Sequence, residues 1–373
     1  MKIIVVAGAR PNFMKIAPIV RGFKMHGTGL KGDELVWRLV HTGQHYDYEM
    51  SQTFFEELEI PQPDYFLNAG SGSHAEQTAK VMIEFEKVCN AEKPDVIVVV
   101  GDVNSTLACS ITAKKLNIKV SHVEAGLRSG DMTMPEEINR IVTDSISDYL
   151  FVTEKSGLEN LEREGRSSNV FFVGNVMIDT LFFQLEKLRK QVKKGENKAE
   201  VQVERGDKKS KYAVVTLHRP SNVDDKDTLR GIMEALIRIS EDMPVMFPVH
   251  PRTKKNIESF GLMNNINSSG IEMLPSLPYM AFLQLWKDAS LVLTDSGGLQ
   301  EETTALGVPC FTIRENTERP VTIDEGTNVL VGTTKQGILS EYTAFRNGTS
   351  KKGRVPELWD GKAAERIVDL LIR

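Results

Sequence analysis

Cysteine is scarce in this chain: Cys89, Cys109 and Cys310 are the three among 373 residues, far apart, with no CxxC and no metal-ligand spacing. Each stands in or near an apolar segment, so the expectation is a buried, reduced thiol rather than a disulfide framework. Long apolar runs are missing too. None approaches the ~20 residues that cross a bilayer, and the opening MKIIVVAG runs into a charged, strand-like sequence rather than the apolar core of a signal peptide. The expectation is a cytoplasmic chain with no membrane partner. Charge of one sign is not in large excess either. A net charge of -5 argues against a general nucleic-acid binder but leaves room for a local basic pocket.

Two further absences narrow the ligand. The first strand-to-helix turn, AGARPNFMKIAP, puts arginine and proline where a nicotinamide-binding fold keeps glycine. The single GxGxxG string, GTGLKG at Gly27 to Gly32, follows a helix-like segment and precedes a strand, the reverse of the dinucleotide context, and reads as a surface turn. No cofactor is expected. No carboxylate group shows a recognisable metal-ligand spacing, so no metal is expected.

Short Val/Ile-rich runs are plentiful and alternate with longer amphipathic ones. Strands are expected at KIIVVAG, VWRLVHTG, DVIVVVGD, KVSHVEAG, YLFVT and VFFVG, and again at YAVVTLH, VMFPVH, IEML, LVLTDS, PCFTI and NVLVG. Continuously apolar strands imply parallel sheet covered on both faces by helices, and the rhythm occurs twice. The fold class expected is α/β, two Rossmann-like doubly wound parallel-sheet domains facing a cleft. The boundaries follow from the helix-like NVMIDTLFFQLEKLRKQVKK and the charge-dense GENKAEVQVERGDKKSK behind it, read as a solvated linker. Domain one is 1–174, joined by the C-terminal helix 361–373, and domain two is 175–360.

Ligands of such sheets sit beyond the carboxyl ends of the strands. Polar residues end strand after strand here: Arg10, Gly101-Asp102, His122-Glu124, His218, His250 and Asp295-Ser296. In TDSGGLQEE, Ser296, Gly297 and Gly298 fall between a strand and a helix, so their N–H groups can face an anion at the positive end of the helix dipole. No Walker lysine follows. The carboxylates one turn inside cannot bind phosphate but suit a ribose diol, so the segment asks for a nucleotide's ribose and phosphates. Arg219, Arg314 and Arg319 supply counter-charge. The first domain offers acids instead: Asp102, Glu124, Asp131, Glu136 and Glu137 with Arg128 and Arg140. From the residues alone these are either structural ion pairs or a proton-transfer site.

Ten strings taken together resemble one family, the non-hydrolysing UDP-N-acetylglucosamine 2-epimerases: GARPNFMKIAP, TGQHYD, GDVNST, HVEAGLRSGD, PEEINR, LHRPSNV, HPRT, TDSGGLQEE, LGVPCFTIRENTERP and GTNVLVG. They span residue 8 to about 332 in family order. The resemblance implies a GT-B-like fold with UDP held mainly by the second domain, a cytoplasmic homodimer, and NAD-free interconversion of UDP-GlcNAc and UDP-ManNAc. It implies catalytic roles for Asp102, Glu124, Glu136, His218 and Lys15, and substrate binding by Arg10, Lys15, His218, Phe282, Ser296, Gly297, Gly298, Glu302 and Arg319. It also implies a second UDP-GlcNAc acting as an allosteric activator near Gln44 and His45. One departure stands out: the family's His-Arg-Arg-Glu-Asn is HRPSN here, keeping His218 and Asn222 but losing an arginine and a glutamate. The alternatives are a 2-epimerase of a UDP-2,3-diacetamido-uronic acid, a hydrolysing epimerase, a GT-B glycosyltransferase and a nucleotide-sugar sensor. The acids of HVEAGLRSGD and PEEINR favour epimerisation over transfer.

Overall fold

The computed structural model describes residues 1–26, 35–43, 55–194 and 211–373. The expectations for Gly27 to Gly32, for Gln44 and His45, and for the charged stretch 195–210 lie outside the described residues. The chain divides into two compact units, 1–183 with 357–373, and 184–356.

The first unit is a seven-stranded parallel sheet of β1 (Lys2–Ala7), β2 (Val36–His41), β3 (Tyr65–Phe66), β4 (Val96–Val100), β5 (Lys119–Ala125), β6 (Tyr149–Val152) and β7 (Val170–Phe172). Its order is β3-β2-β1-β4-β5-β6-β7. Every residue of β4, VIVVV, is buried, as expected of a strand covered on both faces. The apolar core on one side joins Ile4, Val6 and Val40 to Phe85, Val88 and Ala108 of the flanking helices. Twelve of the thirteen described strands fall on the expected apolar runs; β3 does not, because two residues carry no periodicity.

The second unit is a six-stranded parallel sheet of β8 (Ala213–Thr216), β9 (Val245–Pro248), β10 (Ile271–Leu274), β11 (Leu291–Thr294), β12 (Cys310–Thr312) and β13 (Asn328–Leu330), ordered β10-β9-β8-β11-β12-β13. Its core gathers Val215, Leu229, Leu236, Phe247, Leu293 and Phe311. Both sheets reverse strand order beside their first strand, between β1 and β4 and between β8 and β11. That reversal opens a crevice at the strands' carboxyl ends, where ligands of such sheets bind.

The first unit ends inside the helix Val176–Lys194 rather than ahead of it at residue 174. The reason is local. Thr180 donates its hydroxyl to the Met14 carbonyl at 2.6 Å, and Asp179 accepts the N–H groups of Ala363 and Ala364 at 3.1 and 2.7 Å. The start of that helix is thereby tied to the first unit, as is the C-terminal helix Ala363–Ile372, while Trp359 donates to the Thr153 carbonyl. Cys89, Cys109 and Cys310 are buried free thiols. Among the described residues no helix is long and apolar enough to cross a membrane.

Candidate active site

At the first unit's reversal, β1 ends in the turn that starts the helix Arg10–His26, and β4 ends in Gly101-Asp102. The expectation for the Arg10 side chain lies outside the described residues. Lys15, one turn into that helix, is buried and donates to Glu124 Oε2. Glu124 itself is buried with φ of 78°, a left-handed conformation for a side chain that pays about 1–3 kcal/mol to adopt it. The pairing of β5 with β6 shifts register between Val123 and Ala125, so a bulge turns the carboxylate toward Lys15. Gly101 is needed beneath this pair. A Cβ there would stand 2.9 Å from Lys15 Nζ and 3.3 Å from Glu124 Oε2.

Asp102 is held by the helix Pro135–Ile146. Arg140 Nε and Nη2 both reach its Oδ2, at 3.0 and 2.9 Å, and Asn139 Nδ2 donates to its carbonyl at 2.8 Å. Arg140 also pairs with buried Glu137, whose carboxylate accepts the Ser129 and Gly130 N–H groups. Burial works against the charge on Glu137, but those N–H groups and Arg140 outweigh it and lower its pKa. Glu136, in the first turn of the same helix, is half-buried and forms no ion pair among the described residues. The acids are therefore of two kinds: Glu137 is a structural ion pair, whereas Asp102 and Glu124 are oriented by partners at strand ends.

At the second unit's reversal stands Asp295, fully buried after β11. Its Oδ2 accepts the N–H groups of His218 and Arg219, at 2.9 and 2.8 Å, and Asn222 Nδ2 at 3.2 Å; its Oδ1 lies 2.8 Å from His218 Nδ1. Burial opposes its charge, yet the His218 imidazole and the two N–H groups hold its pKa below the usual carboxylate range. One carboxylate thus fixes the backbone and ring of His218. Pro220 opens the one-turn helix Pro220–Val223 and is exposed with Ser221, while buried Asn222 bridges Asp295 and the Ile313 carbonyl.

Ser296 caps the helix Gly297–Leu306. Its N–H is taken by Thr294 Oγ1 at 3.0 Å, so the first-turn N–H groups of Gly297 and Gly298, which have no carbonyl four residues back, are the ones an anion would meet. Glu302 is buried and accepts the Tyr279 hydroxyl at 2.6 Å; burial pushes its carboxyl up to about 7. Arg319 Nε lies 3.2 Å from Glu301, and Arg314 Nη2 lies 2.7 Å from Glu318. Glu318 Oε1 would be 2.8 Å from a Cβ on Gly297, so the Arg314–Glu318 pair stands at the helix start. Phe282 lies in the first turn of the helix Tyr279–Trp286, its N–H spent on the Pro278 carbonyl at 2.9 Å. Sequence reading did not show the partners: Asp295 as organiser of His218, Tyr279 on Glu302, and Asn139 and Arg140 on Asp102. A strand-ending aspartate beside a glycine pair was the one visible signal.

Two Rossmann-like units, one with a glycine-led helix start and one with oriented carboxylates at its strand ends, define a GT-B-like α/β fold. The chain belongs to the UDP-N-acetylglucosamine 2-epimerase family, whose model matches residues 30–372, and is an epimerase. It is 44% identical to the UDP-N-acetylglucosamine 2-epimerase of Methanocaldococcus jannaschii over 100% of this chain and 99% of that one. The crystal structure of the M. jannaschii enzyme in complex with UDP-GlcNAc and UDP aligns with a TM-score of 0.83 at 43% identity, over 100% of this chain and 99% of that one. The UDP-2,3-diacetamido-2,3-dideoxy-D-glucuronate 2-epimerase of Pseudomonas aeruginosa is 37% identical over 100% of both chains.

Proposed function

We propose that this protein reversibly epimerises UDP-GlcNAc to UDP-ManNAc at C2, without hydrolysis, by eliminating UDP and adding it back. No carbonyl acidifies the C2 hydrogen, so a carboxylate cannot remove it unaided. The C1–O bond to UDP breaks as the C2 proton leaves, giving UDP and a 2-acetamidoglucal. Re-addition joins the UDP oxygen to C1 while a proton returns to the opposite face of C2. Asp102, Glu124 and Glu136 move the protons and offset positive charge at C1, each positioned group worth ~10²–10⁴ in rate. Lys15 holds Glu124 in place. The Gly297 and Gly298 N–H groups, with Ser296, Arg10, His218 and Arg319, stabilise the departing diphosphate, at ~2.7–4 kcal/mol per well-aimed donor. Glu302 takes the ribose hydroxyls and the Phe282 backbone the uracil.

The observation that carries this reading is the opposite endowment of the two strand-order reversals: Lys15–Glu124 and Arg140–Asp102 at one, Asp295–His218 and a glycine-led helix start at the other. The reading extends to a cytoplasmic homodimer that supplies ManNAc-type sugars for surface polysaccharide, with a second UDP-GlcNAc near Gln44 and His45 as activator. Gln44→Ala should then abolish the dependence of UDP-ManNAc turnover on added UDP-GlcNAc. The P. aeruginosa relative favours one second reading, the same chemistry on a UDP-2,3-diacetamido-uronic acid.

Incubation with UDP-GlcNAc in D₂O separates these. Deuterium at C2 of both epimers, with UDP-ManNAc formed and no NAD added, is the expected outcome. Free ManNAc as the main product would make the enzyme hydrolysing. Turnover of the uronic acid alone would reassign the substrate.

A further inference from the structure

We propose that His122 acts as a positioning residue, its Nε2–H fixing the Gly101 carbonyl and thereby the turn that carries Asp102. His122 is the fourth residue of β5 and wholly buried. Its Nε2 lies 2.9 Å from the Gly101 carbonyl oxygen and its Nδ1 2.6 Å from Asp144 Oδ1. A backbone carbonyl only accepts, so Nε2 bears a hydrogen. The second proton is then shared between Nδ1 and Asp144, and the surroundings of Asp144 decide its place. Asp144 Oδ2 accepts the Gly126 N–H at 3.0 Å and lies 2.7 Å from Arg128 Nη1, a pocket built for an anion. Burial disfavours that charge, but His122 and Arg128 outweigh it and lower the Asp144 pKa. Arg128 in turn grips Glu164 with Nε and Nη2, at 2.8 and 2.7 Å. The Asp144–Arg128–Glu164 chain thereby fixes the ring from its Nδ1 side.

The consequence falls on the reacting turn. Gly101 has φ of 66°, donates its N–H to the Val123 carbonyl at 3.1 Å and gives its C=O to His122. The next carbonyl, that of Asp102, takes Asn139 Nδ2. Asp144, Arg140 and Asn139 all belong to the helix Pro135–Ile146, so one helix fixes the Asp102 side chain and the peptides on either side of it, one of them through His122. That Asp102 works on the C2 proton rests on the function proposed above; the hydrogen bond from His122 to the Gly101 carbonyl does not.

The test has two arms on the full chain. In the unliganded ¹⁵N-histidine-labelled protein, the resonances that vanish in His122→Gln should report a protonated Nε2 at pH 7; an Nε2 without a proton would overturn the proposal. In the second arm, His122→Gln keeps a donor at the Nε2 position and His122→Asn keeps one at Nδ1. The asparagine variant should lose about 100-fold in kcat, the scale of a small misplacement, with KM within about threefold of wild type. The glutamine variant should recover most of that loss, and equal losses in both would refute the positioning role. Should the wild type exchange no deuterium at C2, the proposed function falls while the resonances still decide whether Nε2 carries its hydrogen.

Discussion

Glu302 and His41 titrate in opposite senses, and the difference can be measured. Glu302 is buried against Tyr279 and its carboxyl rises to about 7 from an ordinary 4.5. Between those values the folded chain binds a proton that the unfolded chain has released, so stability falls as pH rises, and the loss is complete above about 7. The shift corresponds to as much as about 3 kcal/mol. His41 is buried in a stack with Phe66, its Nδ1 accepting the Gly43 N–H, and burial lowers its pKa to about 4. There the unfolded chain holds the extra proton, so stability rises with pH between about 4 and 6.5. Comparing Glu302→Gln with wild type cancels the histidine. The amide keeps the Oε1 acceptor for Tyr279 and drops the charge. It should match wild type near pH 4 in urea unfolding and exceed it by up to about 3 kcal/mol at pH 8; equal stability at pH 8 would contradict the raised pKa. If Glu302 also holds a ribose, calorimetry should show UDP affinity falling about 10–100-fold, the worth of a hydrogen bond to a charged group.

Among elements, the helix Pro135–Ile146 carries more of the site than its length suggests, because Glu137, Asn139, Arg140 and Asp144 all face inward and are buried. Arg140 is the point to test. It is buried between Glu137 and Asp102, so Arg140→Met fills similar volume but strands a buried carboxylate and unties another. A loss of roughly 3–5 kcal/mol in urea unfolding is expected, with turnover falling even where the protein remains folded. A variant as stable and active as wild type would mean that Asp102 is placed by the Asn139 bond and the Gly101 peptide alone. This helix also marks where sequence reading stops. Its residues were visible as an acidic cluster, and the strands around it were visible because apolar runs such as VIVVV have only a buried solution. The pairings were not visible. Arg140 meets Asp102 across 38 residues and His218 meets Asp295 across 77. Such choices are made by packing, which no local pattern encodes. The same limit explains β3, whose two residues gain strand geometry only by pairing with β2, and the first unit's end at Phe183, set by the bonds of Asp179 and Thr180.

At the scale of the molecule, the strand order is repeated and the chemistry is not. Both units reverse beside their first strand, yet one reversal presents Glu124 and Asp102 with their cationic partners and the other presents His218 and a helix start. If this division is the basis of catalysis, binding and proton exchange should be separable by substitution. Neutralising the acids together, Asp102→Asn with Glu124→Gln, alters nothing at Gly297 or His218, so UDP affinity by calorimetry should stay within about threefold of wild type, under 1 kcal/mol. Deuterium uptake at C2 should fall by at least about 10⁴, the loss expected when positioned acid–base groups are removed together. The converse change is Gly297→Ala, whose methyl would crowd Glu318 Oε1 at 2.8 Å beside the anion-facing N–H groups. It should weaken UDP by more than tenfold while leaving Lys15–Glu124 and Arg140–Asp102 untouched. Loss of UDP binding in the double variant, or unchanged binding in the alanine variant, would show that the phosphates rest on the first unit's residues. Full deuterium uptake without the two acids would remove them from the reaction altogether.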